Sequence, residues 1–277
     1  MEGDVVSRWR RGLVTAAALL AVLGGASGSA SGQVRHGGRP AGRHVARHHR
    51  RHRRRAPRLI AQPSAQHPLT LLEIGDSLGE DLGIGLQNLL ASHRDVRVLA
   101  RAVGDTGLAN VNYYDWARVL STDLRVDHPG LLVVFIGGND VQGFDVGNRP
   151  AFFGTAFWHT EYSDRVATIL HEAAAVHVPV LWVGMPIMQS PTFSAGMEKL
   201  NAIYRAEVAH DNQARFLSTW KLFSNAAGQY AAELPGPGGA LVTVRDPDGV
   251  HIAPPAGDDR VAAAVIQAIE KDFSIRL

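Results

Sequence analysis

The chain has 277 residues, 45% of them hydrophobic, which is enough for one domain of ordinary size plus appendages. It has no cysteine, which excludes disulfides and thiolate metal sites. The formal net charge of +2 hides a split: 13 Arg against 2 acidic residues up to His67 (net +11), then 15 Lys plus Arg against 24 Asp plus Glu from Pro68 onward (net −9). A basic front end therefore precedes an acidic body.

Arg8, Arg10 and Arg11 stand before an apolar run from Leu13 to Leu23, and small residues follow to Ala30. That is the layout of an export signal over residues 1–30. The run is short for a membrane span, so no transmembrane span is expected in the mature chain; retention as an N-terminal anchor is the alternative. "RRGLV" (Arg10 to Val14) also fits a twin-arginine pattern. Residues 31–67 read as a linker rich in Arg and His. A stretch such as "RHVARHHRRHRRRAPR" repels itself and cannot build a core, so disorder is expected. Its charge also suits anionic envelope polymers or phospholipid headgroups. Nucleic acid is not expected as a partner, because no aromatic residues interleave the basic ones.

From Pro68 the pattern alternates between strand and helix. "LTLLEIG" (Leu69 to Gly75) predicts a buried strand, "LGIGLQNLLASH" (Leu82 to His93) a helix, "VRVLARAV" a strand and "DWARVLSTDL" a helix. "PGLLVVFIGGND" holds five consecutive large apolar residues, Leu132 to Ile136, and is the strongest strand signal. "DRVATILHEAAAVH" predicts a helix, "PVLWVGMP" a strand, "MEKLNAIYRAEVAH" a helix and "ARFLSTW" a strand. Phe223 to Arg245 breaks the alternation with crowded Gly and Pro, predicting an irregular excursion or a short hairpin. "GDDRVAAAVIQAIEKDF" closes the chain as a helix. Alternation of this kind implies a mostly parallel sheet covered on both faces, with ligands beyond the carboxyl ends of the strands.

Four strand ends carry polar or reactive groups, and each has a plain structural reading beside a chemical one. Ser77 follows the first strand, where its hydroxyl can stand over the sheet edge beside helix N–H groups; Asp76-Ser77 can equally be a helix cap. Gly104 and Gly107 in "ARAVGDTGL" permit close backbone approach to an oxyanion, or simply make a βα turn. Asn139 in "GGND" offers a neutral amide donor, or a turn residue. Asp248 stands three residues before His251 in "DPDGVH", a spacing that lets one loop supply an imidazole base and the carboxylate that orients it; a surface turn is the alternative.

Together, in order, these blocks resemble the SGNH, or GDSL-type, hydrolases: "GDSL" at Gly75 to Leu78, Gly104 in "GDTG", "GGND" at Gly137 to Asp140, and "DGVH" at Asp248 to His251. The match spans about residues 69–273. The resemblance implies a flavodoxin-like three-layer α/β/α sandwich with a mostly parallel five-stranded sheet over residues 68–277. It also implies Ser77 as nucleophile, His251 as general base and acid, and Asp248 as its orienter. The N–H groups of Ser77 and Gly104 and the Asn139 amide would form the oxyanion hole, with Gly107 competing with Gly104.

"TGLANVNYYDWARVL", "VLWVGMPIM", "MEKLNAIY" and "RDPDGVHIAPPAG" further resemble a bacterial envelope clade of the family. Tyr113, Tyr114 and Trp116 are candidates to line a sugar-binding groove, or to pack at a helix start. Trp158 and His159 are candidates for a loop over the site, and Trp182 for the core. The expected activity is that of an exported serine esterase, periplasmic or secreted, acting without metal or organic cofactor on O-acyl esters, O-acetyl esters of polysaccharide first among them. An O-acetyltransferase would use the same residues, and a non-catalytic polysaccharide-binding module is the third reading.

Overall fold

Gly75 ends the first strand so close to its neighbour that a Cβ there would lie 2.2 Å from the Phe135 carbonyl oxygen. Only glycine lets these two strands run together up to the point where the site begins. This geometry comes from a computed structural model, which describes residues 60–277. The expected export signal and most of the basic linker fall outside the described residues.

In chain order the elements are β1 (Leu69–Gly75), α1 (Ser77–Leu89), β2 (Val96–Ala100), α2 (Trp116–Asp127), β3 (Leu131–Phe135), β4 (Phe144–Val146), β5 (Arg149–Ala151), α3 (Ala156–Ala175), β6 (Val180–Val183), α4 (Pro191–His210), β7 (Ala214–Leu217), a 3-10 turn (Trp220–Phe223), β8 (Glu233–Pro235), β9 (Leu241–Thr243) and α5 (Ala256–Phe273). Five strands form one sheet in the order β2-β1-β3-β6-β7, and every pairing in it is parallel. The expected five-stranded flavodoxin-like arrangement is the one observed. From β1 the chain steps outward to β2, then returns across β1 to β3 and proceeds the other way. Right-handed crossovers therefore put α1 and α5, which pack together, on one face, and α2, α3 and α4 on the other. The reversal leaves a crevice at the carboxyl ends of β1 and β3.

The apolar run read from the sequence is the centre of the core: Leu131 to Ile136 are each at most 1% exposed. Trp182 on β6 is also fully buried, as expected.

Helix starts are set by caps rather than by periodicity. Asp76 accepts the Leu78 N–H, so α1 begins at Ser77, five residues before its apolar period becomes legible. Thr155 accepts the Trp158 N–H and starts α3 at Ala156, eight residues before the expected Asp164. This cap corrects one expectation: Trp158 and His159 are on a helix, not on a loop. Trp158 is 1% exposed, stacks on Tyr162 with centroids 4.7 Å apart, and donates from its indole to the Gln142 carbonyl.

The excursion before the last helix contains the hairpin β8–β9. A second hairpin, β4–β5, was not legible: its strands are three residues long and turn tightly at Gly147, where φ is +60°. The linker boundary also moves. The Gln62 side chain donates to the Ser274 carbonyl and accepts the Arg276 N–H, and Ile60 packs against the core. The last residues of the expected linker therefore belong to the body.

Candidate active site

Ser77 is the first residue of α1, placed there by the cap immediately before it. Its Oγ lies 2.9 Å from His251 Nε2. His251 Nδ1 lies 2.6 Å from Asp248 Oδ2. The other Asp248 oxygen accepts the backbone N–H groups of Val250 (2.8 Å) and His251 (3.0 Å). One short loop thus holds both ends of the imidazole's orienting bond, as the three-residue spacing allows. The bond fixes the ring so that Nδ1 carries hydrogen toward the carboxylate and Nε2 faces the serine.

Charge in this loop is arranged to favour an imidazolium. Burial works against the charged His251 ring, but the Asp248 hydrogen bond and the negative charges of Asp248, Asp81 and Asp246 outweigh it, raising the pKa above 6.5. Burial likewise opposes ionisation of Asp248. The His251 ring bond and the two backbone N–H bonds outweigh that too, leaving Asp248 below the usual carboxylate range.

The loop is clamped from beneath by two residues that the sequence reading did not single out. Asp81, one turn along α1 from Ser77, is buried and accepts the Ile252 N–H at 3.1 Å. Arg245 is 1% exposed. Its guanidinium donates to the carbonyls of Ile187 (2.7 Å), Val250 (2.6 Å) and His251 (3.2 Å). Burial lowers its pKa to about 10. Arg245 lies at the edge of the "RDPDGVH" stretch, but nothing in that stretch shows that its partners are backbone carbonyls.

Asp76 binds the second strand end to the first. Its carboxylate, fully buried, takes the N–H groups of Leu78 (3.0 Å), Gly137 (2.8 Å) and Gly138 (2.6 Å). Burial pushes its pKa up to about 6, with these bonds pulling the other way. The same turn is held from behind by Tyr204, which donates to the Ile136 carbonyl, and by Tyr162, which donates to Asp140. Gly137 has φ of +138°, and a Cβ there would strike the Tyr204 hydroxyl at 2.3 Å, so this turn requires glycine. Asn139 is thereby set beside the start of α1. One of its amide hydrogens goes to the Thr106 carbonyl at 2.8 Å. The second remains a donor for another acceptor.

The two glycines of the second block separate clearly. Gly107 packs directly on Asp140, whose carboxylate takes the N–H groups of Leu108 and Ala109. Gly104 lies against α1, and its N–H donates to Glu80 Oε1 at 2.9 Å.

The aromatic candidates are not brought together as one surface. Trp116 is 1% exposed and its indole donates to the Thr106 hydroxyl. It supports the loop carrying Gly104 from inside, which corrects the expectation that it lines a groove. Tyr114 is half-buried and packs on Trp116 at 4.7 Å. Tyr113 is 62% exposed and is the only one of the three with a free ring face. Among the described residues, no three His, Cys, Asp or Glu side chains gather as a metal site would need, and no helix is long and apolar enough to cross a membrane.

Comparison with solved structures places this geometry in a known fold. The chain is similar to TesA at 24% identity, with 73% of this chain and 99% of that one covered and a TM-score of 0.51. It is similar to a catalytic mutant of Axe2, an acetylxylan esterase from Geobacillus stearothermophilus, at 14% identity, 74% and 95% coverage and a TM-score of 0.52. It is also similar to a GDSL-like lipase from Bacteroides thetaiotaomicron at 19% identity, 76% and 92% coverage and a TM-score of 0.51. At these identities the likeness establishes the fold, that of the SGNH hydrolases. No curated protein matches the chain. The profile of a family described as "Protein of unknown function (DUF459)" matches residues 70–268. The chain therefore belongs to the DUF459 family and carries its sequence on an SGNH hydrolase fold.

Proposed function

We propose that this chain is an exported serine esterase that hydrolyses O-acyl esters, O-acetyl esters of envelope or extracellular polysaccharide first among them. The observation that carries the reading is the relay from Asp248 through His251 to Ser77, with contacts of 2.6 and 2.9 Å. Ser77 Oγ attacks the ester carbonyl carbon while His251 Nε2 takes the hydroxyl proton. The carbonyl π electrons move onto oxygen, and this oxyanion is met by the Ser77 N–H at the start of α1, the free hydrogen of the Asn139 amide, and the Gly104 N–H. Collapse expels the alcohol, which leaves with the His251 proton. Water then attacks the acyl-serine, giving its proton to His251. The carboxylic acid departs and Ser77 is restored.

The acetyl preference rests on the likeness to an acetylxylan esterase and on the expected compartment, which itself rests on the N-terminal pattern of residues 1–30. The exposed ring of Tyr113 is the groove candidate that suits a sugar.

A fluorophosphonate probe tests the reading. The expected result is covalent labelling of the wild type, lost in both Ser77→Ala and His251→Ala, with acetate released from an acetylated oligosaccharide. Recovery of the acetyl group on an added sugar instead of in water would make the chain an acyltransferase. Absence of labelling in well-folded protein would leave only a binding module.

A further inference from the structure

We infer that Glu80 is the residue that selects substrate at the oxyanion site: its carboxylate occupies the Gly104 N–H, and an ester must displace it to react. The inference rests on the esterase reading above. Glu80 follows Ser77 by three residues on α1, so both side chains lie on one face of the helix. Its Oε1 takes the Gly104 N–H at 2.9 Å. A Cβ on Gly104 would lie 3.2 and 3.4 Å from the two carboxylate oxygens, so the whole group covers that residue.

Two other carboxylates nearby show what a permanent clamp looks like in this protein. Asp76 is fully buried and accepts three N–H groups. Asp140 is fully buried and accepts two N–H groups and a tyrosine hydroxyl. Glu80 is exposed and accepts one. Among the described residues no cation pairs with it. A single hydrogen bond at the surface can be exchanged for another donor, whereas the buried clamps cannot.

When an ester carbonyl takes the Gly104 N–H, the displaced carboxylate stays on the first turn of α1, beside the reacting centre. There its unpaired charge repels an anionic substrate and accepts hydrogen bonds from hydroxyl or ammonium groups. The site therefore fits neutral acyl esters of donor-rich alcohols, the class to which an acetylated sugar belongs, and disfavours esters carrying a carboxylate.

The experiment compares kcat/KM for two acetyl esters that differ by one charge, para-acetoxybenzoate and its methyl ester, in wild type, Glu80→Gln and Glu80→Ala. Intrinsic reactivity cancels when the ratio is compared between proteins. The expected result is a wild-type preference for the methyl ester that falls about tenfold in both variants, as loss of one nearby charge at a solvated site implies. A structural role would change both rates alike. An active variant with the wild-type ratio overturns the inference, as do variants that are folded but inactive, or loss of fold in both. A wild type that hydrolyses neither ester and resists the fluorophosphonate overturns the esterase reading, and this inference with it.

Discussion

The carboxylate of Asp81 on α1 accepts the backbone N–H of Ile252, one residue beyond His251, across 171 positions of chain. The helix that carries Ser77 and the loop that carries His251 are thus joined by a bond outside the Ser77–His251–Asp248 contacts. Helix α5, which follows that loop, packs on α1 as well, so the serine and the imidazole rest on one pair of helices.

Asp81→Asn should therefore act on rate and on pH dependence together. His251 must be neutral to accept the serine proton, so activity should rise with pH through a midpoint above 6.5, where the neighbouring acidic charges hold it. Removing the Asp81 charge lowers the pKa of the imidazolium, and the acid limb should move to lower pH. The plateau kcat should fall by about tenfold or more as the loop loosens, since small misplacements of reacting groups are costly. A kcat/KM–pH profile of the variant beside wild type locates the limb, and kcat on the plateau gives the loss; an unshifted limb would remove Asp81 from this role.

If Asn139 serves the proposed oxyanion site, Asn139→Ala should lower kcat by about 10²–10³-fold with little change in KM, because such an amide acts where charge develops and not in the ground state. Steady-state kinetics on a small acetyl ester measure the split. A variant that raises KM alone would assign Asn139 to binding.

Trp116 and Tyr113 should part company. Trp116→Phe removes the bond to Thr106 inside the protein and should lower stability by about 1–2 kcal/mol, read by denaturant titration. It should leave the KM for an oligosaccharide ester nearly unchanged. Tyr113→Ala should leave stability alone and raise that KM several-fold. Equal KM values for Tyr113→Ala and wild type would remove the groove.

Glu73 on β1 should govern how stability depends on pH. Its carboxyl lies against Gly79 and Gly83 and is fully buried; burial raises its pKa well above 4.5. A carboxyl raised in the folded state favours folding below its unfolded pKa, and that contribution is lost as pH rises toward the folded pKa. Glu73→Gln does not titrate. Its melting temperature should gain on the wild type as pH rises from about 4. Parallel Tm–pH curves for the two proteins would overturn this.

The sequence alone determined the strand–helix alternation, the apolar centre at Leu132 to Ile136, and the candidates Ser77, Asn139, Asp248 and His251. These are local signals: hydrophobic runs, turn residues and short motifs, each readable within a few positions. Tertiary structure decided what depends on distant neighbours. Asp76, Asp81 and Arg245 became the frame of the site because their partners are backbone groups up to 171 residues away, which no side-chain pattern announces. Trp116 and Trp158 moved from candidate surface to core because an indole with one buried acceptor is as well satisfied inside as out. Gly104 and Gly107 meet different carboxylates, Glu80 and Asp140 respectively. A glycine has no side chain to reveal its surroundings, so only the packed neighbours show which carboxylate each one meets.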